Sequence, residues 1–129
     1  MKSPKLHHRS RVRLASLAQD EDALARRTAA RHIGVSPELL AKLACDEDGS
    51  VRLIAAQNPK CPPDALAALA QDNLVEVRWW AGANPGCPPG ALALQLQDDD
   101  PHVRWSARLV IMHRRDVPDH IRAMVALSG

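Results

Sequence analysis

The stretch VRLIAAQNPKCPPDALAALAQDNLVE, Val51–Glu76, is followed without a gap by VRWWAGANPGCPPGALALQLQDDDPH, Val77–His102. Val-Arg, Asn-Pro, Cys-Pro-Pro and a run of leucines and alanines return at the same offsets, giving a repeat of 26 residues. A fixed period of this size marks a solenoid, in which each unit buries its apolar face on its neighbours. Upstream, Ala25-Arg26 stands opposite Val51-Arg52, Pro37 opposite Pro63, and Leu14, Leu17 and Asp20 opposite Leu40, Leu43 and Asp46. Downstream, Val103-Arg104-Trp105 matches Val77-Arg78-Trp79, and Pro118 matches Pro89 once three residues are inserted. About four repeats, led by a half repeat beginning near Arg9, account for the chain.

Each unit reads as two short helices. Ser36-Pro37-Glu38 supplies an N-cap, a proline in the first helical position and an early acid, ahead of Leu39, Leu40 and Leu43. Pro63 and Pro89 hold the same slot. The second helix follows an acidic turn, shows Val51, Ile54 and Ala55 at helical spacing, and stops at Asn58-Pro59 and Asn84-Pro85. No run alternates with the period of a strand, so the expected fold is all-α. In the last unit the Asn-Pro slot holds Val110-Ile111, so that helix should run on through Met112 towards Arg114.

With 129 residues, 46% apolar and 25% charged, the chain is one domain of ordinary globular character. Residues 1–9 read as a basic tail, flexible or ordered, and residues 10–129 as a single helical-repeat domain. No apolar run is long enough to span a membrane, MKSPKLHHRS lacks the apolar core of a signal peptide, and three cysteines suit a reducing compartment. The expectation is a cytoplasmic protein without a membrane partner. There is no Phe and no Tyr, so Leu, Ala, Val and Ile must build the core. Charge is uneven: residues 1–13 carry five bases and no acid, whereas residues 45–100 carry three bases against nine acids.

The pattern Leu-Ala-x-Asp, Val-Arg, Ala-x-Asn-Pro-x-Cys-Pro-Pro-x-x-Leu resembles the leucine-rich repeat variant family, akin in style to HEAT-type helical repeats. The likeness covers roughly residues 10–127 and is strongest over Leu43–Asp98. It implies a right-handed superhelix with two layers of short helices, one α and the other tight and partly 3₁₀, and a protein that works as a binding scaffold. An iron–sulfur region can accompany such repeats; this chain has no cysteine cluster, and no cofactor is expected.

Several columns could carry chemistry. Cys61 and Cys87 share a slot with Val35, which favours buried structural thiols; Cys45 falls elsewhere, and no C-x-x-C site forms. Arg26, Arg52, Arg78 and Arg104 could hold phosphates, or could pair with Asp20, Asp46, Asp72 and Asp98 in their own or the adjacent unit. The acidic turns suit helix N-termini and could also line an edge for a basic partner. Trp80 sits in the column of Ile54 and reads as core. Arg27, Leu53, Trp79 and Trp105 share the next column, either packed between repeats or exposed as an apolar ridge. Gly82 reads as a close helix contact. The histidines form no ligand set, and no phosphate loop, nucleophile elbow or triad is present, so no enzyme is expected.

The reading is a non-catalytic scaffold for a protein or peptide partner, contacted through Leu53, Trp79 and Trp105 with Arg52, Arg78 and Arg104 beside them. The alternative is nucleic-acid binding, to DNA or RNA, through the Arg column and the basic residues Lys2, Lys5, Arg9, Arg11 and Arg13; the acidic middle opposes it.

Overall fold

A computed structural model describes residues 4–128, with side chains from residue 11 onward. Among these residues there are nine helices and no strand: α1 (Pro4–Ala18), α2 (Ala23–Arg31), α3 (Pro37–Leu43), α4 (Gly49–Gln57), α5 (Pro63–Leu69), α6 (Val75–Ala83), α7 (Pro89–Gln95), α8 (Pro101–His113) and α9 (Asp119–Leu127). The basic stretch from residue 4 onward lies in α1, while residues 1–3 fall outside the described residues.

Proline and aspartate punctuate these helices as the sequence predicts. Pro37, Pro63 and Pro89 open α3, α5 and α7, each seven residues long. Asp22, Asp48 and Asp100 cap α2, α4 and α8 by accepting the amides of Leu24, Ser50 and His102. Leu74 holds the same slot ahead of α6 and makes no cap bond. Its side chain lies over Gly49, where a Cβ would stand 2.2 Å from Leu74 Cδ1. The helices α3, α5 and α7 are α-helical throughout, so the partly 3₁₀ layer implied by the resemblance is absent among the described residues. Tightness is confined to their ends, where Asp46 and Asp72 amides reach back three residues to Leu43 and Leu69.

Two layers result. The longer helices α2, α4, α6 and α8 pack on one another in sequence, and α3, α5 and α7 back them. The core runs the length of the stack as columns: Leu40, Leu66 and Leu92; Val51, Val77 and Val103; Ala29, Ala55, Ala81 and Ala107, all essentially without exposure. Alanine at this depth lets neighbouring helices approach closely, as a core without Phe or Tyr requires. Val35, Cys61 and Cys87 fill one buried column, whereas Cys45, which falls outside that slot, is exposed.

The last unit departs from the frame more than expected. Pro118 is the N-cap of α9, the role Pro88 plays for α7, and Val117 is buried as Cys87 is. The insertion is therefore four residues at this boundary. Helix α8 runs thirteen residues to His113, as its missing Asn-Pro pair predicts. Arg122 donates to the carbonyls of Ile111, Met112 and Arg114, satisfying the open end of that longer helix.

Candidate interaction surface

The arginine column is built into the stack. Arg26, Arg52 and Arg78 each place Nη1 on two carbonyls of the turn before their own helix: Asp20 and Glu21, Asp46 and Glu47, Asp72 and Asn73. Nε and Nη2 then fork onto the aspartate carboxylate of the following unit. The Nε–Oδ2 distances are 2.8, 2.7 and 2.9 Å for Arg26–Asp46, Arg52–Asp72 and Arg78–Asp98. Each of these aspartates also accepts the amide two residues ahead, so one carboxylate shapes a turn and ties two units together. The hydrogen bond that Arg26 donates to Asp46 raises the Arg26 pKa further, and the one Arg52 donates to Asp72 does the same for Arg52. Burial pushes the Asp72 carboxyl up, but the Arg52 fork, the Leu74 amide and the charges of Arg52 and Arg78 outweigh it, and its pKa falls below the usual carboxylate value.

Arg52 and Arg78 are thus occupied, and only Arg104 of the expected contact arginines lacks a carboxylate among the described residues; its Nη1 still binds the carbonyls of Asp98 and Asp99. In the acidic turns Asp46 and Asp98 are taken by arginines and Asp22, Asp48 and Asp100 by helix caps, leaving Asp20, Glu21, Glu47 and Asp99 exposed without such a role. Of the alternative nucleic-acid contacts, Arg11 and Arg13 are exposed on α1; the side chains of Lys5 and Arg9, and all of Lys2, lie outside the described residues.

A second ladder runs along the helix ends. Asn58 Nδ2 donates to Ala30 O and Asn84 Nδ2 to Ala56 O, both at 2.9 Å, while each Oδ1 accepts the amide two residues on. His32 fills the slot in the first unit and Nδ1 accepts the Gly34 amide at 2.8 Å, copying the turn. In the last unit Arg114 reaches back to Cys87 O. The Asn-Pro pairs therefore staple successive units as well as ending helices.

Gly82 and Gln95 form a matched pair. Where earlier units place Ala56 with Leu69, this one has Gly82 with Gln95, buried and donating to Ala70 O and Arg78 O at 3.2 and 2.8 Å. A Cβ on Gly82 would stand 2.1 Å from Gln95 Oε1, so the close contact is with this amide.

What the ladders leave over is aromatic. Trp105 is 63% exposed, whereas Leu53 and Trp79 in the same column are half-buried; among the described residues α6 packs on α4 and α8 on α6, while no further helix of that layer packs on α8. Leu109 and Met112 follow Trp105 at helical spacing and are also exposed, so α8 presents an apolar stripe at the end of its layer. Trp80 is 40% exposed against 6% for Ile54, which corrects its expected place in the core. The larger indole leaves the Ile slot and meets Trp79 edge to face, with ring centroids 5.0 Å apart. A groove of about 240 Å³ beside this pair is lined by Val75, Glu76, Trp79, Trp80, Asp100 and His102. A larger cleft, about 440 Å³, lies between the ends of α2 and α4 under Ile33 and Lys60. Sequence reasoning missed Glu76, Leu109 and Met112; the signal for Glu76 was its slot, which holds Leu24, Ser50, Glu76 and His102 in successive units.

No group of His, Cys, Asp and Glu among the described residues is arranged to hold a metal, and no described helix is long and apolar enough to cross a membrane. The architecture is an α-solenoid of two-helix repeats, tied unit to unit by Arg–Asp and Asn ladders. Residues 50–73, which span α4 and α5, match the family model of the leucine rich repeat variant, the family that the sequence pattern resembles. No curated protein and no solved structure matches the chain.

Proposed function

We propose that the protein is a non-catalytic scaffold whose α8 end face, with Trp105, Leu109 and Met112, docks a protein or peptide partner. The observation that carries this reading is the apolar character of that face. It presents three large apolar residues at helical spacing, 63%, 39% and 55% accessible, more contiguous apolar surface than a solvated helix face needs. Of the contacts read from the sequence, Trp105 and Arg104 keep that role on this face, whereas Leu53 and Trp79 are half-buried. A helical-repeat fold with this family match supports a scaffold. Nucleic-acid binding is the weaker reading, since Arg26, Arg52 and Arg78 are engaged with carboxylates and a phosphate would have to displace them.

A photoreactive residue placed at position 105, with a control at exposed Asp64 on the other layer, tests the proposal in cells. A protein crosslinked at 105 and absent from 64 supports it, provided Trp105→Ala loses the same protein while melting within about 2 °C of wild type, as expected for an exposed side chain. Identical crosslinking patterns at both positions would sink it.

A further inference from the structure

We infer that the groove between the starts of α6 and α8 is a subsite for an arginine side chain of the partner polypeptide. This rests on the scaffold reading and specifies the chemistry of what docks. On α6, Glu76, Trp79 and Trp80 lie three and four residues apart and so share one face. The groove they line with Val75, Asp100 and His102 measures about 240 Å³, the size of one side chain rather than a folded ligand. Its lining sets two indoles beside two acids.

Neither acid is used up by the fold. Asp100 caps α8 with Oδ1 alone, which accepts the amides of His102 and Val103 at 2.8 and 3.2 Å; Oδ2 has no hydrogen-bond partner among the described residues. The exposed Glu76 carboxylate likewise has none there. A planar guanidinium can lie against an indole face while its edge forks onto a carboxylate, and it sheds water more readily than an ammonium. Aromatic wall and free carboxylate together are therefore complementary to arginine. The repeat shows that the arrangement is not required for stacking: the slots of Glu76, Trp79 and Trp80 hold Ser50, Leu53 and Ile54 in the preceding unit, which stacks in the same way.

The probe is the peptide acetyl-Gly-Arg-Gly-amide, titrated at low salt into the full ¹⁵N-labelled chain, with the indole N–H signals of the three tryptophans as readout. Saturable shifts at Trp79 and Trp80, with Trp105 still, are expected. The citrulline peptide, isosteric but uncharged, should leave all three unmoved, and Glu76→Gln should weaken binding about threefold to fivefold, the worth of a partly exposed ion pair. Equal response to arginine and citrulline, or a shift at Trp105 alone, would overturn the inference. Because the citrulline comparison uses the unaltered protein, a misfolded variant cannot decide it. Failure here leaves crosslinking at position 105 as an independent measure of the end face.

Discussion

Removing the carboxylate of Asp72 should cost far more than removing that of Asp20, although the two occupy equivalent turns. Asp72 Oδ2 accepts Arg52 Nε at 2.7 Å, and Oδ1 accepts Arg52 Nη2 at 3.2 Å and the Leu74 amide at 3.0 Å. The side chains are 17% and 9% accessible, so Asp72→Ala leaves a largely dehydrated guanidinium edge and an unpaired amide. Breaking a fully buried pair costs roughly 3–5 kcal/mol; the residual solvent at Arg52 lowers this to about 2–3 kcal/mol. Asp20 is exposed and accepts only the Asp22 amide among the described residues, at 2.8 Å, so Asp20→Ala should cost about 0.5–1 kcal/mol. Urea unfolding followed by circular dichroism measures both, and the corresponding loss in melting temperature for Asp72→Ala is on the order of 10 °C. The folded-state pKa of Asp72 lies below its unfolded value, so its contribution is complete above about pH 4 and is lost as pH falls through the folded value. The gap between wild type and Asp72→Ala should therefore be constant from about pH 5 to 7 and narrow at about pH 3. Costs for the two variants within about 0.5 kcal/mol of each other, or a gap that widens in acid, would refute the ladder as the inter-unit tie.

Two further outcomes follow from the packing. Gly82→Ala should destabilise by about 1–3 kcal/mol, because the new methyl must dislodge a buried amide holding two carbonyls, whereas Gly82→Ala with Gln95→Leu restores the Ala56–Leu69 pairing and should recover most of that loss; additive costs in the double variant would contradict the pairing. In the native protein only Cys45 should react with iodoacetamide at neutral pH, since Cys61 and Cys87 are buried and burial pushes their thiols up to about 11. Mass spectrometry of the alkylated protein checks this, and labelling of Cys61 at the rate of Cys45 would contradict it.

Much of the fold was legible in one comparison, Val51–Glu76 with Val77–His102. Proline lacks an amide and aspartate caps, so helix starts follow from local chemistry, and the period of 26 fixes what stacks on what. The Asp and Arg columns were visible too, including their option of pairing within or between units. The distance that settles it is a tertiary one: Arg52 reaches twenty residues forward to Asp72, while its own turn offers carbonyls. The four-residue step before α9 was hidden because Pro118 reads alike as a first helical residue and as a cap, and only burial of Val117 fixes the register.

The surface was less legible for a physical reason. A repeat specifies which positions face one another, and residues in one column look equivalent in sequence; exposure depends on whether a further unit covers them. Leu53, Trp79 and Trp105 are one column by spacing, yet only Trp105 stands clear, because no further helix of that layer packs on α8 among the described residues. Trp80 shares a slot with Ile54, and whether an indole fits where a smaller side chain does is a matter of volume in three dimensions. The sequence by itself therefore determined the unit, its period and its bonding groups. The tertiary structure decided which arginines were occupied and which aromatic residues stand exposed, since both depend on which described elements lie beside them.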